Sequence, residues 1–271
     1  MQIDKAVILA RGLGTRMRRP DGAVGLDPRQ AQVAETGIKA MIPIGRPFLD
    51  YVLSALAEAG YRRVGLVVGP EQQSIRDYYG RQVKPRRLTI DFAVQEQPRG
   101  TADAVAAAEA FAAGDDFLVI NSDNYYPRAA LESLRRQDGP AVALFEHESL
   151  LADSNIPAER LRRFAVGQID GRGHLERILE KPDEATWNAL PRPIWMSMNC
   201  WRFGPAIFQA CRAIPLSPRG ELELPDAVQY AIGTLNQRFR VLTIRGAVLD
   251  LTSRGDVASV AAHLAGKEID L

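Results

Sequence analysis

Length, composition and charge exclude several classes of protein. The chain has 271 residues, 46% of them hydrophobic, and 34 lysines and arginines nearly balance 33 aspartates and glutamates. This balance gives no electrostatic basis for binding nucleic acid or an anionic membrane, and no apolar run approaches the roughly 20 residues of a membrane span. No secretory signal is visible, and Cys200 and Cys211 lack metal-ligand spacing. The sequence therefore predicts a cytoplasmic protein with reduced thiols.

The first half of the chain alternates strand-like and helix-like segments. Short apolar runs predict buried strands, and amphipathic or alanine-rich stretches between them predict helices. In chain order these are a strand at 6–10, a helix at 47–60, a strand at 63–68, a helix at 71–79, a strand at 88–94, a helix at 101–113, a strand at 117–121, a helix at 128–136 and a strand at 141–145. This order is typical of a doubly wound α/β fold with a mostly parallel, Rossmann-like sheet. Ligands are then expected at the carboxyl ends of the strands.

The second half predicts a smaller, mixed α/β lobe. Its elements are strands at 164–169 and 174–179 around a hairpin turn at 170–173, a strand at 195–203, a helix at 225–236, strands at 240–244 and 247–251, and a last helix capped by Ser253 and stopped by Gly266. No repeat or linker divides the chain. We therefore expect one domain over 1–271, with a core at about 1–146 and a lobe with closing elements at about 147–271.

The loop after the first strand indicates phosphate binding. Gly12 and Gly14 permit a tight turn and a close backbone approach to a ligand, and Arg16 adds a delocalised positive charge suited to phosphate. The dinucleotide fingerprint does not fit, because Met17 stands where its third glycine belongs, and no P-loop motif occurs in the chain. The glycines alone also fit a plain strand-to-helix turn.

Ala10-x-Gly-x-Gly-Thr-Arg-Met, followed downstream by Gly37-Ile-Lys39-Ala-Met-Ile-Pro, resembles the sugar-1-phosphate nucleotidyltransferases, also called nucleotide-sugar pyrophosphorylases. The resemblance implies transfer of a nucleoside monophosphate from a nucleoside triphosphate to a sugar-1-phosphate, with release of pyrophosphate. It implies catalytic roles for Arg16 and Lys39, which would stabilise the departing pyrophosphate. The nucleotide-binding residues that it implies in this loop are Leu9, Ala10, Gly12, Gly14 and Thr15.

Two further segments extend the resemblance through the predicted core. Gln95-Glu-Gln-Pro-Arg-Gly100-Thr101-Ala-Asp resembles the family's base-recognition segment, in which Gln95 reads the nucleobase edge; Thr101 also fits an N-cap. Val-Ile-Asn-Ser-Asp123 resembles the segment that holds Mg²⁺, a cation satisfied by one or two carboxylates plus substrate phosphates. The matching second carboxylate is Asp250, at the end of a late apolar strand. Each aspartate also fits a solvated helix cap.

Three matches fall in the predicted lobe. In Glu180-Lys181-Pro, the resemblance implies that Glu180 binds sugar hydroxyls and that Lys181, the third catalytic residue, binds the phosphate of the sugar-1-phosphate. Asn199 matches an asparagine that the family places against the sugar ring, although Trp201 replaces the usual small residue nearby. Glu221-x-x-Leu-x-Asp resembles a structural and sugar-side segment.

Two departures concern the nucleotide side. Arg11 stands where the family has a small residue close to the base and ribose, and it either binds phosphate or narrows the site. The interval from Arg16 to Lys39 is longer than usual, and the composition of 17–38 predicts a mobile loop.

Several functions remain open on the sequence alone. UTP or dTTP with glucose-1-phosphate is favoured, with Mg²⁺ as the cofactor and without nucleic acid or membrane partners; an assembly of identical subunits is compatible with the sequence. The alternatives are GTP with mannose-1-phosphate, a cytidylyltransferase acting on a non-sugar phosphate such as choline phosphate, and a nucleotide-sugar-binding regulatory protein without turnover. A nicotinamide-dependent oxidoreductase is disfavoured by Met17.

Overall fold

A nine-stranded sheet organises the protein, which a computed structural model describes over residues 2–20 and 25–271. The strands are β1 (Lys5–Leu9), β2 (Pro43–Ile44), β3 (Arg46–Pro47), β4 (Arg63–Val68), β5 (Thr89–Val94), β6 (Phe117–Asn121), β7 (Asn124–Tyr125), β8 (Ala141–Glu146), β9 (Val166–Ile169), β10 (Leu175–Leu179), β11 (Trp195–Phe203), β12 (Arg240–Ile244) and β13 (Leu249–Asp250).

Helices connect most of these strands. They are α1 (Thr15–Arg18), α2 (Pro28–Thr36), α3 (Phe48–Glu58), α4 (Gln73–Asp77), α5 (Thr101–Ala107), α6 (Glu109–Ala112), α7 (Arg128–Arg136), α8 (His147–Asp153), α9 (Ala158–Leu161), α10 (Glu184–Ala189), α11 (Ala206–Ala213), α12 (Leu224–Gly233) and α13 (Asp256–Leu264). A 3-10 turn spans Lys39–Met41, and a π-helical turn spans Tyr78–Gln82.

The centre of the large sheet is parallel. Its strands lie in the order β5, β4, β1, β6, with Ile8 of β1 opposite Leu66 of β4 and Ile120 of β6. β11 pairs antiparallel with β6, β8 pairs antiparallel with β11, and β12 pairs parallel with β8. The predicted α/β fold with a mostly parallel sheet is therefore confirmed, and the carboxyl ends of the four central strands meet at one edge.

Helices cover both faces of this sheet because side chains alternate along the buried strands. Ile8 faces a hydrophobic cluster that includes Leu53 of α3, whereas its neighbour Val7 faces a second cluster that includes Val105 of α5. Strands buried on both faces read as continuous apolar runs. For this reason the central strands are visible in the sequence.

The predicted lobe shares the same sheet. β9 and β10 form the predicted antiparallel hairpin, and the Asp170 carboxylate accepts hydrogen bonds from the N–H groups of Arg172 and His174 in its turn. The beginning of β11 pairs with β8 and β9, and its end pairs with β8 and β6. One strand therefore joins the core to the lobe.

The bounds of β4, β6, α7, β11 and β12 coincide with the predicted ones, whereas some other elements differ. The helix predicted over 101–113 is interrupted at Ala108, between α5 and α6. The predicted cap at Ser253 is wrong: α13 begins at Asp256, whose carboxylate accepts hydrogen bonds from the N–H groups of Thr252 and Ser253. Gly266, with φ 74°, lies just beyond the end of that helix, as predicted.

The segment between Arg16 and Lys39 contains a helix that the sequence analysis missed. In α2, the Asp27 carboxylate accepts hydrogen bonds from the N–H groups of Arg29 and Gln30 at 2.8 Å, and Gln30 Oε1 accepts one from the Asp27 N–H at 3.1 Å. This reciprocal capping box, with Pro28 in the first turn, fixes the start of the helix. The prediction of a mobile loop is wrong for 28–36; its part at 21–24 lies outside the described residues.

Cys200 and Cys211 are free thiols, and both are buried. Burial raises the pKa of Cys211 to about 12. Within residues 2–20 and 25–271, no helix is long and apolar enough to cross a membrane.

Candidate functional site

The glycine loop at the end of β1 is shaped by its contact with α2. Gly14 has φ 60°, and a Cβ atom at this position would run into the backbone of Gly37, which follows α2. Glycine at position 14 is therefore required by both conformation and packing. At Gly12, by contrast, the described residues leave the space of a Cβ atom open. The backbone there is accessible to a ligand.

A cleft of about 450 Å³ opens at this edge of the sheet. It is lined by every residue to which the sequence assigned a nucleotide-binding role, and by three of the charged residues. These are Leu9, Ala10, Gly12, Gly14, Thr15, Arg16, Lys39, Gln95, Gly100, Thr101 and Asp123. The remaining lining residues are Arg11, Leu13, Pro98, Ala104, Asn121, Ser122 and Glu221. Segments from the ends of β1, β5 and β6 thus meet in one place.

The segment from Gln95 to Thr101, which follows β5, is fixed by hydrogen bonds at both of its ends. The buried Gln95 amide donates from Nε2 to the Gly100 carbonyl at 3.0 Å and to Oδ2 of Asp103 at 2.8 Å. The side chain of Thr101 does not cap its own helix; its Oγ1 accepts a hydrogen bond at 2.9 Å from the N–H of Leu224, at the start of α12. The segment therefore connects the cleft to the lobe.

Asp123 and Asp250 are brought together by a short antiparallel pair of strands. β7 pairs with β13 so that Asn124 lies opposite Asp250, and the N–H of Leu251 donates to the Asp123 carbonyl at 2.8 Å. Lys39 Nζ lies 2.8 Å from Oδ2 of Asp123. Burial, and then the charge of Asp123, raise the pKa of Asp250 to about 6. The result is a pair of interacting carboxylates with an ammonium on one of them.

Asp250 is held in place by residues that belong to none of the sequence motifs. The Asn155 side chain binds its backbone on both sides: Nδ2 donates to the carbonyl and Oδ1 accepts from the N–H, each at 2.8 Å. Arg160 pairs with Asp256 through two contacts of 2.9 Å. Although burial opposes it, the charges of Asp256, Asp250 and Asp123 raise the pKa of Arg160. No local pattern marks Asn155 or Arg160, because only the fold brings them here.

Glu180 and Lys181 lie outside the cleft lining, directly after β10. The Glu180 side chain is exposed, but desolvation by the surrounding protein raises the pKa of its carboxyl against the effect of Lys181. Lys181 has φ 44°. The pKa of Glu223 is lowered despite desolvation, mainly by the hydrogen bond and charge of Arg219, with a smaller effect from the charge of Lys181. Glu223 belongs to the same segment as Glu221, which lines the cleft.

Asn199 lies where the pairing of β11 with β8 shifts register, with φ 53°. Its Oδ1 accepts a hydrogen bond from Trp201 Nε1 at 3.4 Å. Trp201 is fully buried and stacks on Phe203 at 5.6 Å, so it fills the core. Like Glu180 and Lys181, Asn199 and Asp250 do not line the cleft. In the described parts of the chain, no three His, Cys, Asp or Glu side chains gather as a metal-binding group.

The fold and the cleft define an α/β protein with a cleft at the carboxyl edge of a parallel sheet, beside a glycine loop. The family model described as "Nucleotidyl transferase" matches residues 5–246, and the chain belongs to this family.

Individual relatives resemble the chain at lower coverage. It is 29% identical over 231 residues to the low-salt glycan biosynthesis nucleotidyltransferase Agl11 of Haloferax volcanii, covering 83% of this chain and 56% of that protein. It is 32% identical over 232 residues to a glucose-1-phosphate thymidylyltransferase of Streptomyces antibioticus, covering 84% and 57%. The chain thus spans little more than half the length of these relatives.

A solved structure supports the fold. The crystal structure of UDP-glucose pyrophosphorylase complexed with UDP-glucose matches with a TM-score of 0.73 at 20% identity, covering 98% of this chain and all of that one.

Proposed function

We propose that the protein transfers a nucleoside monophosphate from a nucleoside triphosphate to a sugar-1-phosphate and releases pyrophosphate. UTP or dTTP is the favoured nucleotide, and glucose-1-phosphate is the favoured acceptor. The observation that carries this proposal is the cleft itself, in which a glycine loop with Arg16, the Gln95 amide and the Asp123 carboxylate meet. Membership in the nucleotidyltransferase family and the similarity to a thymidylyltransferase support it.

In the proposed complex, the nucleotide follows the edge of the sheet. The backbone around Gly12, which the protein leaves open, accepts the phosphates together with Gly14 and Thr15. Leu9 and Ala10 line the side of the cleft toward the nucleoside. The Gln95 segment, with Gly100 and Thr101, binds the base.

The reaction is a displacement at the α-phosphorus. An oxygen of the sugar-1-phosphate forms a bond to this phosphorus, and the bond to the β-phosphate oxygen breaks, so pyrophosphate leaves with the electron pair. Because both reactants are anions, the site must neutralise their repulsion and align them. Arg16 and Lys39 stabilise the charge on pyrophosphate, and Lys181 binds the attacking phosphate. That phosphate is already ionised at neutral pH, so no general base is needed.

The carboxylate pair fits a divalent cation. Two interacting carboxylates favour positive charge between them, and the Lys39 ammonium already neutralises Asp123 at 2.8 Å. Mg²⁺ takes hard oxygen ligands and keeps several waters, so two carboxylates with substrate phosphates suffice. We assign Asp123 and Asp250 as the residues that would hold Mg²⁺. When bound, the cation supplies positive charge to the α-phosphate and the sugar phosphate.

The sugar is assigned to the lobe side of the cleft. Glu180 accepts hydrogen bonds from sugar hydroxyls, and Asn199 contacts the sugar ring. Support comes from the charge of Lys181, which acts on Glu223 together with the stronger effect of Arg219; Glu223 is close in sequence to Glu221, which lines the cleft.

Pyrophosphate release tests the proposal. UTP, dTTP, GTP, CTP and ATP are combined with several sugar-1-phosphates in the presence of Mg²⁺. Release should require both substrates and fall by roughly 10²- to 10³-fold in Asp123→Ala, the loss typical of a contact that stabilises transition-state charge. Asp91→Asn, which changes an exposed carboxylate on β5, is the matched control. Tight binding of nucleotide sugars without any release would instead support a regulatory protein, and release with choline phosphate alone would support a cytidylyltransferase.

A further inference from the structure

Arg11 lines the cleft and has one buried hydrogen-bond donor that no described residue uses. Its side chain is only 7% exposed, and its Nε and Nη2 face the Glu71 carboxylate at 3.5 and 3.4 Å. Among the described residues, nothing accepts a hydrogen bond from Nη1. A buried guanidinium nitrogen without an acceptor is unfavourable. A ligand in the cleft would remove this penalty by supplying the acceptor.

The position of Arg11 is fixed relative to that of Gln95. β4 lies between β1 and β5, and the N–H groups of Ala10 and Gln95 donate to the consecutive carbonyls of Val67 and Val68, each at 2.9 Å. The guanidinium lies against Gly69, where a Cβ atom would approach Nε to 2.6 Å. Arg11 and Gln95 therefore lie on either side of the end of β4.

The orientation of the Gln95 side-chain amide follows from its hydrogen-bond partners. Both groups that contact its nitrogen, the Gly100 carbonyl and the Asp103 carboxylate, are acceptors. Neither can donate to the amide oxygen, so the NH₂ group must face them. Oε1 is consequently left as an acceptor beside the cleft, while Arg11 can only donate.

We propose that Arg11 reads the nucleobase together with Gln95: Nη1 donates to a ring carbonyl while Oε1 of Gln95 accepts the neighbouring ring N–H. A carbonyl beside an N–H is present in uracil, thymine and guanine. Cytosine and adenine present the reverse, an amino group beside an unprotonated ring nitrogen. Arg11 is thus a residue that determines base specificity, and this inference rests on the proposed binding of a nucleoside triphosphate in the cleft.

Titration calorimetry with each of the five triphosphates and Mg²⁺, without sugar phosphate, tests the inference. The wild-type protein should bind at least one of UTP, dTTP and GTP roughly tenfold or more tightly than CTP. Arg11→Met should reduce that ratio by roughly tenfold, as expected for the loss of a buried hydrogen bond to a charged group. Arg19→Met removes an exposed guanidinium near the same loop and should leave the ratio unchanged. Circular dichroism checks that each variant is folded.

A phosphate contact would give a different result. Since every triphosphate carries the same phosphates, loss of such a contact would weaken all five equally and leave the ratio unchanged, which would overturn the inference. The inference would also be overturned if the wild-type protein bound CTP as tightly as it binds each of UTP, dTTP and GTP. If the protein releases pyrophosphate but its affinity for UTP, dTTP and GTP does not exceed that for CTP, only this inference is contradicted. If it discriminates against CTP but releases no pyrophosphate, only the proposed reaction is contradicted.

Asp103 provides an independent check, because it acts through Gln95 and does not line the cleft. Asp103→Leu removes one acceptor that orients the amide and should lower the ratio of UTP to CTP affinity. Asp103→Asn keeps an oxygen that can accept the same hydrogen bond, so most of the ratio should return. If both variants keep the wild-type ratio, Asp103 does not position Gln95 for base selection.

Discussion

Asp250 is expected to lower the stability of the folded protein, although the proposed chemistry uses its carboxylate. Burial and the charge of Asp123 raise its pKa to about 6, from about 3.9 in an unfolded chain. A carboxyl whose pKa is raised by folding stabilises the native state at low pH, fully below about pH 4, and this contribution is lost as the pH rises through about 6. Ionised Asp250 therefore destabilises the metal-free protein at neutral pH.

Asp250→Asn should accordingly raise the melting temperature in EDTA at pH 7.5, because it removes a buried charge while keeping an oxygen for the Thr252 hydroxyl. The gain should shrink as the pH falls from 6 toward 4. Melting curves across this range measure it, with Asp91→Asn as the exposed control. A less stable variant at pH 7.5 would refute the account of charge burial. Addition of Mg²⁺ should stabilise only the wild-type protein.

Lys181 has a separate expected effect. Since it is proposed to bind the attacking phosphate and lies outside the cleft lining, Lys181→Ala should mainly raise the KM for the sugar-1-phosphate. The KM for the nucleotide should change little. Steady-state kinetics with each substrate varied in turn separates the two effects, and the exposed Lys84→Ala serves as control. An unchanged KM for the sugar phosphate would count against the assignment.

Among the elements, α2 illustrates a signal that was present in the sequence. Asp27-Pro28-x-Gln30 is a readable capping box. Asp27→Ala should lower the free energy of unfolding by about 1 kcal/mol, within the range measured for lost N-caps. Urea denaturation measures this loss. Glu35→Ala, at an exposed position of the same helix, should change stability by less than about 0.5 kcal/mol.

The glycine loop provides a second comparison between elements. Gly14→Ala should destabilise the protein by about 1–3 kcal/mol, because its left-handed backbone and the adjacent Gly37 leave no place for a Cβ atom. Gly12→Ala meets open space among the described residues and should retain stability. Both variants should weaken triphosphate binding if the loop holds phosphate. Equal stability of the two variants would show that α2 does not constrain the loop.

The bounds of an element were predictable from the sequence where its residues are uniformly buried. They were less predictable where hydrogen-bond partners lie far away in the sequence. β4 and β6 have short apolar runs that are almost entirely buried, and their bounds coincide with the predicted ones. The Ser253 cap was wrong because the carboxylate that organises this turn comes from Asp256, later in the chain. The meeting of Asp123 with Asp250 was expected only from family resemblance, since the pairing of β7 with β13 leaves no local pattern.

On the scale of the whole molecule, the shared sheet predicts cooperative unfolding. Trp187, Trp195 and Trp201 all lie in the predicted lobe, so their fluorescence reports on that part, whereas far-UV circular dichroism reports on all helices and strands. The two signals should give the same urea midpoint, because β11 of the lobe is hydrogen-bonded to β6 and β8 of the core. Separate midpoints would contradict the prediction of a single domain.

β11 also restricts how the protein moves when it binds ligand. β11 pairs with β8 at both of its ends and with β6 at its end, so a hinge rotation of the lobe would have to break these pairings in the middle of the sheet. Opening and closing are therefore left to the loops that rim the cleft and to side chains such as Lys39. Such motions occur within nanoseconds to microseconds, faster than the rotation of whole domains.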